Sequence, residues 1–102
     1  MASEARGEGA LLSPAGVAVD RKGNVYASDD ERHLVLRLAA DGAVEELARG
    51  GPAIGAVVQP AGLDLGVVDG TDSLVVSDAG NGRVQVMGLA DGAWHALPRG
   101  PL

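Results

Sequence analysis

The sequence predicts an all-β fold of two consecutive four-stranded antiparallel sheets, and three observations lead there. The apolar mass of the 102-residue chain is Val, Leu and Ala, with no Phe, one Trp and one Tyr, beside 16 glycines. Val fits pleated sheet, and frequent Gly fits tight turns. The second observation is a set of turn signals that cut the chain into short apolar runs: Lys22-Gly23-Asn24, Asp41-Gly42, Asp69-Gly70, Gly80-Asn81-Gly82 and Asp91-Gly92. Asp-Gly and Asn-Gly mark hairpins because Gly and Asn tolerate positive φ. The third is an internal repeat.

The first copy opens Pro14-Ala15-Gly16-Val17-Ala18-Val19-Asp20 and, after a turn, continues Val25-Tyr26-Ala27-Ser28-Asp29. The second opens Pro60-Ala61-Gly62-Leu63-Asp64-Leu65-Gly66 and continues Leu74-Val75-Val76-Ser77-Asp78. Each copy then carries an apolar run (34–38 and 83–87), an Ala-Asp-Gly-Ala turn (40–43 and 90–93) and a closing Arg-Gly (Arg49-Gly50 and Arg99-Gly100). The offset is 46 residues at the prolines, 49 at Asp29 and Asp78, and 50 at Asp41 and Asp91. Length is therefore added at turns while the runs between them match, as in a duplicated structural unit. The runs place strands near 15–20, 24–28, 34–39 and 43–48, and near 61–66, 73–77, 83–88 and 93–97, with a longer first turn across 67–72 in the second copy. Four strands in about 45 residues is the size of one β-propeller blade. Runs such as Gly16-Val17-Ala18-Val19 and Leu74-Val75-Val76 are apolar on both faces, as a blade covered on both sides requires. The organisation is a lead-in over 1–12, whose Ala5-Arg6-Gly7 resembles Ala48-Arg49-Gly50, blade 1 over 13–50, a linker over 51–58 and blade 2 over 59–100.

The opening Pro-Ala-Gly-Val-Ala-Val-Asp followed by Gly-Asn-Val-Tyr-Ala-Ser-Asp resembles the first half of an NHL repeat. Residues 77–86, Ser-Asp-Ala-Gly-Asn-Gly-Arg-Val-Gln-Val, resemble its second half. The first copy departs there, with Arg32 and Leu34 in place of Asn and Arg; the second departs at Gly66, where Asp is usual. The resemblance spans residues 13–100 and implies part of a six-bladed propeller acting as a binding or interaction scaffold. It also implies an alternative: part of a propeller lyase or hydrolase whose metal sits in the central channel. Two blades are a third of such a ring, so the chain is expected either to belong with further blades in a longer protein or to self-associate, three copies closing one ring.

Charge and motifs bound the function. Eight Lys and Arg against fourteen Asp and Glu give a net charge of −6, which works against neutralising nucleic-acid phosphates. There is no Cys, so thiol and disulfide chemistry are absent. The N-terminus lacks the basic start and apolar run of a signal peptide, and no window has the roughly 18 apolar residues of a membrane helix. Taken as complete, the chain is expected in the cytoplasm without membrane contact; taken as a segment, it gives no compartment.

No catalytic constellation is visible. The serines stand in no Gly-x-Ser-x-Gly elbow, and the glycines are not gathered before a helix as in a phosphate-binding loop. His33 and His95 occupy unmatched positions with no second ligand at zinc spacing. Asp69-Gly70-Thr71-Asp72 lacks the further oxygen ligands of a calcium loop. Neither metal nor cofactor is therefore expected. Asp29 and Asp78, each ending a second strand, are expected to accept hydrogen bonds from backbone amides of the loop that follows, with Asn81 and Arg83 as structural members of the same loop. Asp64 and Asp20 remain as ligand-binding candidates, because the resemblance puts the first strand of each blade along the central channel. Glu45 and Glu46 suit the wet face of an outer strand, and Trp94 suits covering an apolar edge. The protein or small molecule bound is not specified by these residues.

Overall fold

The structure, a computed structural model, describes residues 11–98. The Ala5-Arg6-Gly7 and Arg99-Gly100 landmarks lie outside the described residues. Eight strands follow in order: β1 Pro14–Val19, β2 Val25–Asp29, β3 Leu34–Leu38, β4 Val44–Arg49, β5 Pro60–Val68, β6 Thr71–Asp78, β7 Arg83–Gly88 and β8 Trp94–Leu97, with one 3-10 turn at Ala79–Asn81. They form two separate four-stranded antiparallel sheets, β1-β2-β3-β4 and β5-β6-β7-β8, each a plain meander. Among the described residues no helix is long and apolar enough to cross a membrane.

The repeat is a repeat of geometry. Both first hairpins carry the same register shift after their proline, between Pro14 and Gly16 and between Pro60 and Gly62. The Ala-Asp-Gly-Ala turns are alike too. The Ala43 amide donates to Asp41 Oδ1 at 2.9 Å and the Ala93 amide to Asp91 Oδ1 at 3.0 Å, while Gly42 and Gly92 take the positive φ that the turn demands.

One expectation is corrected. The extra residues of the second copy do not lengthen its first turn. They lengthen the ladder: β5 and β6 pair as far as Val68 with Thr71, and the connection shrinks to Asp69 and Gly70, both at positive φ. Positive φ at both central residues is the two-residue hairpin geometry whose twist matches its strands. In the first copy the same site is a five-residue loop organised by Asp20. Gly66, standing where Asp20 would, simply pairs with Ser73 in the extended ladder.

The core lies between the sheets. Tyr26, Val35 and Ala48 from the first sheet, Val57 from the linker, and Leu74, Val76 and Met87 from the second are buried in one cluster. Ala18, Leu47, Leu63, Leu65, Leu89 and Trp94 pack around it. With so few aromatics the two sheets approach closely, and the point of approach is Gly16. A Cβ there would lie 2.9 Å from the Leu63 nitrogen and 3.0 Å from the Ala61 carbonyl oxygen, both rigid backbone atoms of β5. Gly16→Val is therefore expected to destabilise the chain by about 2 kcal/mol through overpacking, read as a shift in the urea midpoint by circular dichroism.

Candidate functional site

Two polar centres emerge, and they do different things. The first is the end of β6. Asp78, wholly buried, accepts from the Val58 amide (2.8 Å), Asn81 Nδ2 (2.9 Å), Arg83 Nε (2.7 Å) and Gln85 Nε2 (3.1 Å). Its neighbours reach onward to the linker. Arg83 Nη2 donates to the carbonyls of Ala53 (2.7 Å) and Ala56 (3.0 Å), Gln85 Nε2 to Ala56 (2.7 Å), and Asn81 Nδ2 to Gly51 (2.9 Å), while Gln85 Oε1 accepts from the Gly55 amide (2.9 Å). The whole 51–58 linker is thereby clasped. Burial pushes the Asp78 carboxyl up, but the Val58 amide, Asn81 and Arg83 outweigh it and hold it below the usual carboxylate range.

The expected pattern of backbone donors from the following loop describes Asp29 and not Asp78. Asp29 accepts from Glu31 (3.0 Å) and Arg32 (2.8 Å) in its loop, and from Leu12 and Ser13 (3.1 Å) just before β1. Burial again raises its carboxyl and these four amides lower it by more. Asp78 receives one backbone amide, from the linker that precedes it, and three side chains. The reason lies in the copies: Arg32, Leu34 and Leu36 stand in the first where Asn81, Arg83 and Gln85 stand in the second. His33 holds the positive-φ position of Gly82 and binds the residue that follows the linker, its Nδ1 accepting from the Gln59 amide at 2.9 Å.

The second centre is an open cleft of about 690 Å³ between the sheets, at their hairpin end. Asp20, Arg21, Lys22, Asn24, Tyr26 and Arg37 line it from the first sheet. Leu65, Gly66, Val67, Asp72, Ser73 and Leu89 face them. Asp20 organises one side. Its Oδ1 accepts from the Lys22 (2.9 Å) and Asn24 (3.0 Å) amides, and its Oδ2 from Asn24 Nδ2 (2.9 Å) and the Tyr26 hydroxyl (3.0 Å). The Asn24 side chain leads in lowering its pKa to about 2. Burial first, then the Asp20 carboxylate, raises the Tyr26 phenol. Arg37 lies beside that phenol and pairs with Glu45 on the neighbouring strand.

Asp64, the other candidate, is elsewhere. It alternates with Leu63 and Leu65, which pack inward, so it lies on the outward face of β5. It is exposed, and its Oδ1 accepts from the next amide, Leu65, at 2.9 Å. Asp20 and Asp64 are thus not brought together. Among the described residues no group of three or more His, Cys, Asp or Glu is placed to hold a metal ion. His95 pairs across β7 and β8 with Val86, remote in sequence from His33. Trp94 packs on the core and against Gly55.

Sequence reasoning missed Tyr26, Arg37 and Gln85. The signal for the first two was present in the repeat: their counterparts in the second copy are Val75 and Val86, so two positions of one face are polar in only one copy.

Residues 11–38 match the family model of the NHL repeat. No curated protein matches the chain by sequence. Among solved structures, a virginiamycin B lyase from Staphylococcus aureus is similar, with a TM-score of 0.62 at 15% sequence identity; the match covers 82% of this chain and 26% of the lyase. The chain thus spans about a quarter of that structure's length, and the likeness is one of propeller fold.

Two outcomes follow from the carboxylates. Asp78→Ala strands the Arg83 guanidinium, whose side chain is 18% exposed, and should cost about 3 kcal/mol in equilibrium unfolding. Asp20, Asp29 and Asp78 all have folded pKa values below their unfolded ones. Their contribution is complete above the unfolded value of 3.8 and is lost as pH falls through the folded values, about 2 for Asp20. Melting temperature should therefore hold from pH 7 to about 5 and fall steeply below about pH 4, as followed by scanning calorimetry.

Proposed function

We propose that the chain, which opens with an NHL repeat and folds as two propeller-type blades, is a binding scaffold whose contact point is the cleft between the blades. The observation that carries this is where the two copies differ. Positions shared by the copies, such as Asp29 and Asp78, are engaged in holding loops and linker. Tyr26, buried in the core, and Arg37, half-buried, stand by contrast where the second copy has Val, and both line the cleft. The Tyr26 ring also fills the core and its hydroxyl donates to Asp20, but the ladder itself does not require a guanidinium at Arg37, since the second sheet makes the same pairing with Val75 and Val86.

The cleft has the make-up of a recognition surface. Leu65, Val67 and Leu89 give an apolar wall, with Lys22, Arg37 and Asp72 as polar groups around it. We place these two blades in a six-bladed ring, as part of a longer propeller or through association of copies. The lyase or hydrolase reading draws less support: Asp20 is committed to four hydrogen bonds and Asp64 faces away from the cleft.

The test is an NMR titration of the 15N-labelled chain with a library of short peptides. Bound peptides are expected to shift the amides of Lys22, Asn24, Gly66 and Val67. Arg37→Val, which adopts the second copy's residue, should keep the dispersed β spectrum and weaken the hits about tenfold or more, the worth of one charge-assisted hydrogen bond. Shifts confined to β4 or β8, or hits indifferent to Arg37→Val, would remove the cleft as the binding surface.

A further inference from the structure

The internal contact between the sheets is a template, and the chain carries both halves of a second one. One half is the outward face of the second sheet. Gly16 is glycine because β5 backbone lies against it. Its counterpart 46 residues on, Gly62, is also glycine, yet a Cβ there would meet only the Ser77 Cβ at 3.7 Å, an ordinary contact. Among the described residues nothing demands glycine at Gly62. The residues around it tell the same story. Ser28 and Val35, which the second sheet covers, are 0% exposed, whereas their counterparts Ser77 and Val84 are exposed, Val84 at 38%.

The other half is the outward face of the first sheet. Leu63 and Leu65 pack onto the core between the sheets. Their counterparts Val17 and Val19 alternate with inward-facing Ala18 and are 64% and 61% exposed. Gly16, Ser28 and Val35 on one side of the internal contact, and Leu63 and Leu65 on the other, thus have counterparts that lie open, and these two open sets are the two complementary sides of one contact.

We propose that a second copy of this chain supplies the missing side, the outward face of its β5–β8 sheet seating on the outward β1–β4 face of the first, head to tail. Gly62 of one copy then meets the β1 backbone of the next as Gly16 meets β5. A contact of this heterologous kind closes into a ring when its rotation allows, and three copies give the six sheets of one propeller. Asp64, at the place of Ala18, brings a carboxylate to the seam and makes it weaker than the internal one. This inference rests on the six-bladed placement proposed above and names what completes it; it does not depend on the cleft.

The experiment is light scattering coupled to size exclusion on the full chain. The wild type is expected at about three times its 10.2 kDa. Gly62→Val and, independently, Val17→Asp change positions that are open in a single copy. Each should shift the mass to one chain while keeping the β-sheet circular dichroism. Asp64→Ala should hold the oligomer together at tenfold or greater dilution relative to wild type. A polydisperse series that both substitutions dissolve is the open form of the same contact. A monodisperse wild-type monomer overturns the proposal, as does an association that survives both Gly62→Val and Val17→Asp.

Discussion

The buried carboxylate of Asp78 is the constraint on which the arrangement of the two halves depends. A charge so placed is stable only when its hydrogen bonds are filled, and the chain fills them from the linker and from three side chains that themselves hold the linker. That closes a circuit. The linker, fixed at Gly51, Ala53, Gly55, Ala56 and Val58, drops Val57 into the core and delivers β5 against β1, where Gly16 admits it. Without the clasp the two meanders are joined by eight residues of Gly, Pro and Ala character with little reason to settle.

The first sheet shows how much of that circuit is optional. Asp29 is buried as completely as Asp78 but is satisfied by four amides, two from its own loop and two from the residues before β1. Backbone donors alone are enough to keep the carboxylate charged. What Asn81, Arg83 and Gln85 add in the second sheet is reach: they carry the loop's polarity across to the segment that joins the sheets.

These facts explain what was legible in the sequence. Strand order and boundaries follow from local chemistry, such as Asp41-Gly42 and Asp91-Gly92, and every predicted strand lies within one residue of its place except at β5 and β6, which each run two residues further into the hairpin. There, Asp69-Gly70 signals the turn, but nothing local assigns the flanking Val67, Val68, Thr71 and Asp72 to the ladder in which they pair. Pairing across a hairpin can absorb extra residues on both sides without any local signature. The clasp was invisible for another reason. Its bonds join residues about thirty apart in sequence, and nothing in Gln85 announces that its partner is a linker carbonyl. The cleft was hidden because shared features attract attention in a repeat, and the informative positions were the unshared ones, Tyr26 and Arg37.

A blade is a unit that cannot satisfy itself. Its small residues, Gly16 and Ala18 or Gly62 and Ser77, make thin faces suited to lying against another sheet, and stacked repeats draw most of their stability from such contacts. Within this chain one contact of that kind is made, and it converts Tyr26, Val35 and Ser28 from surface into core. The same geometry that makes the internal contact tight leaves Val17, Val19 and Val84 facing water. In the proposed assembly a neighbouring sheet would cover Val17, Val19, Val84 and Gly62, while the polar clasp fixes the angle between the two sheets of one chain.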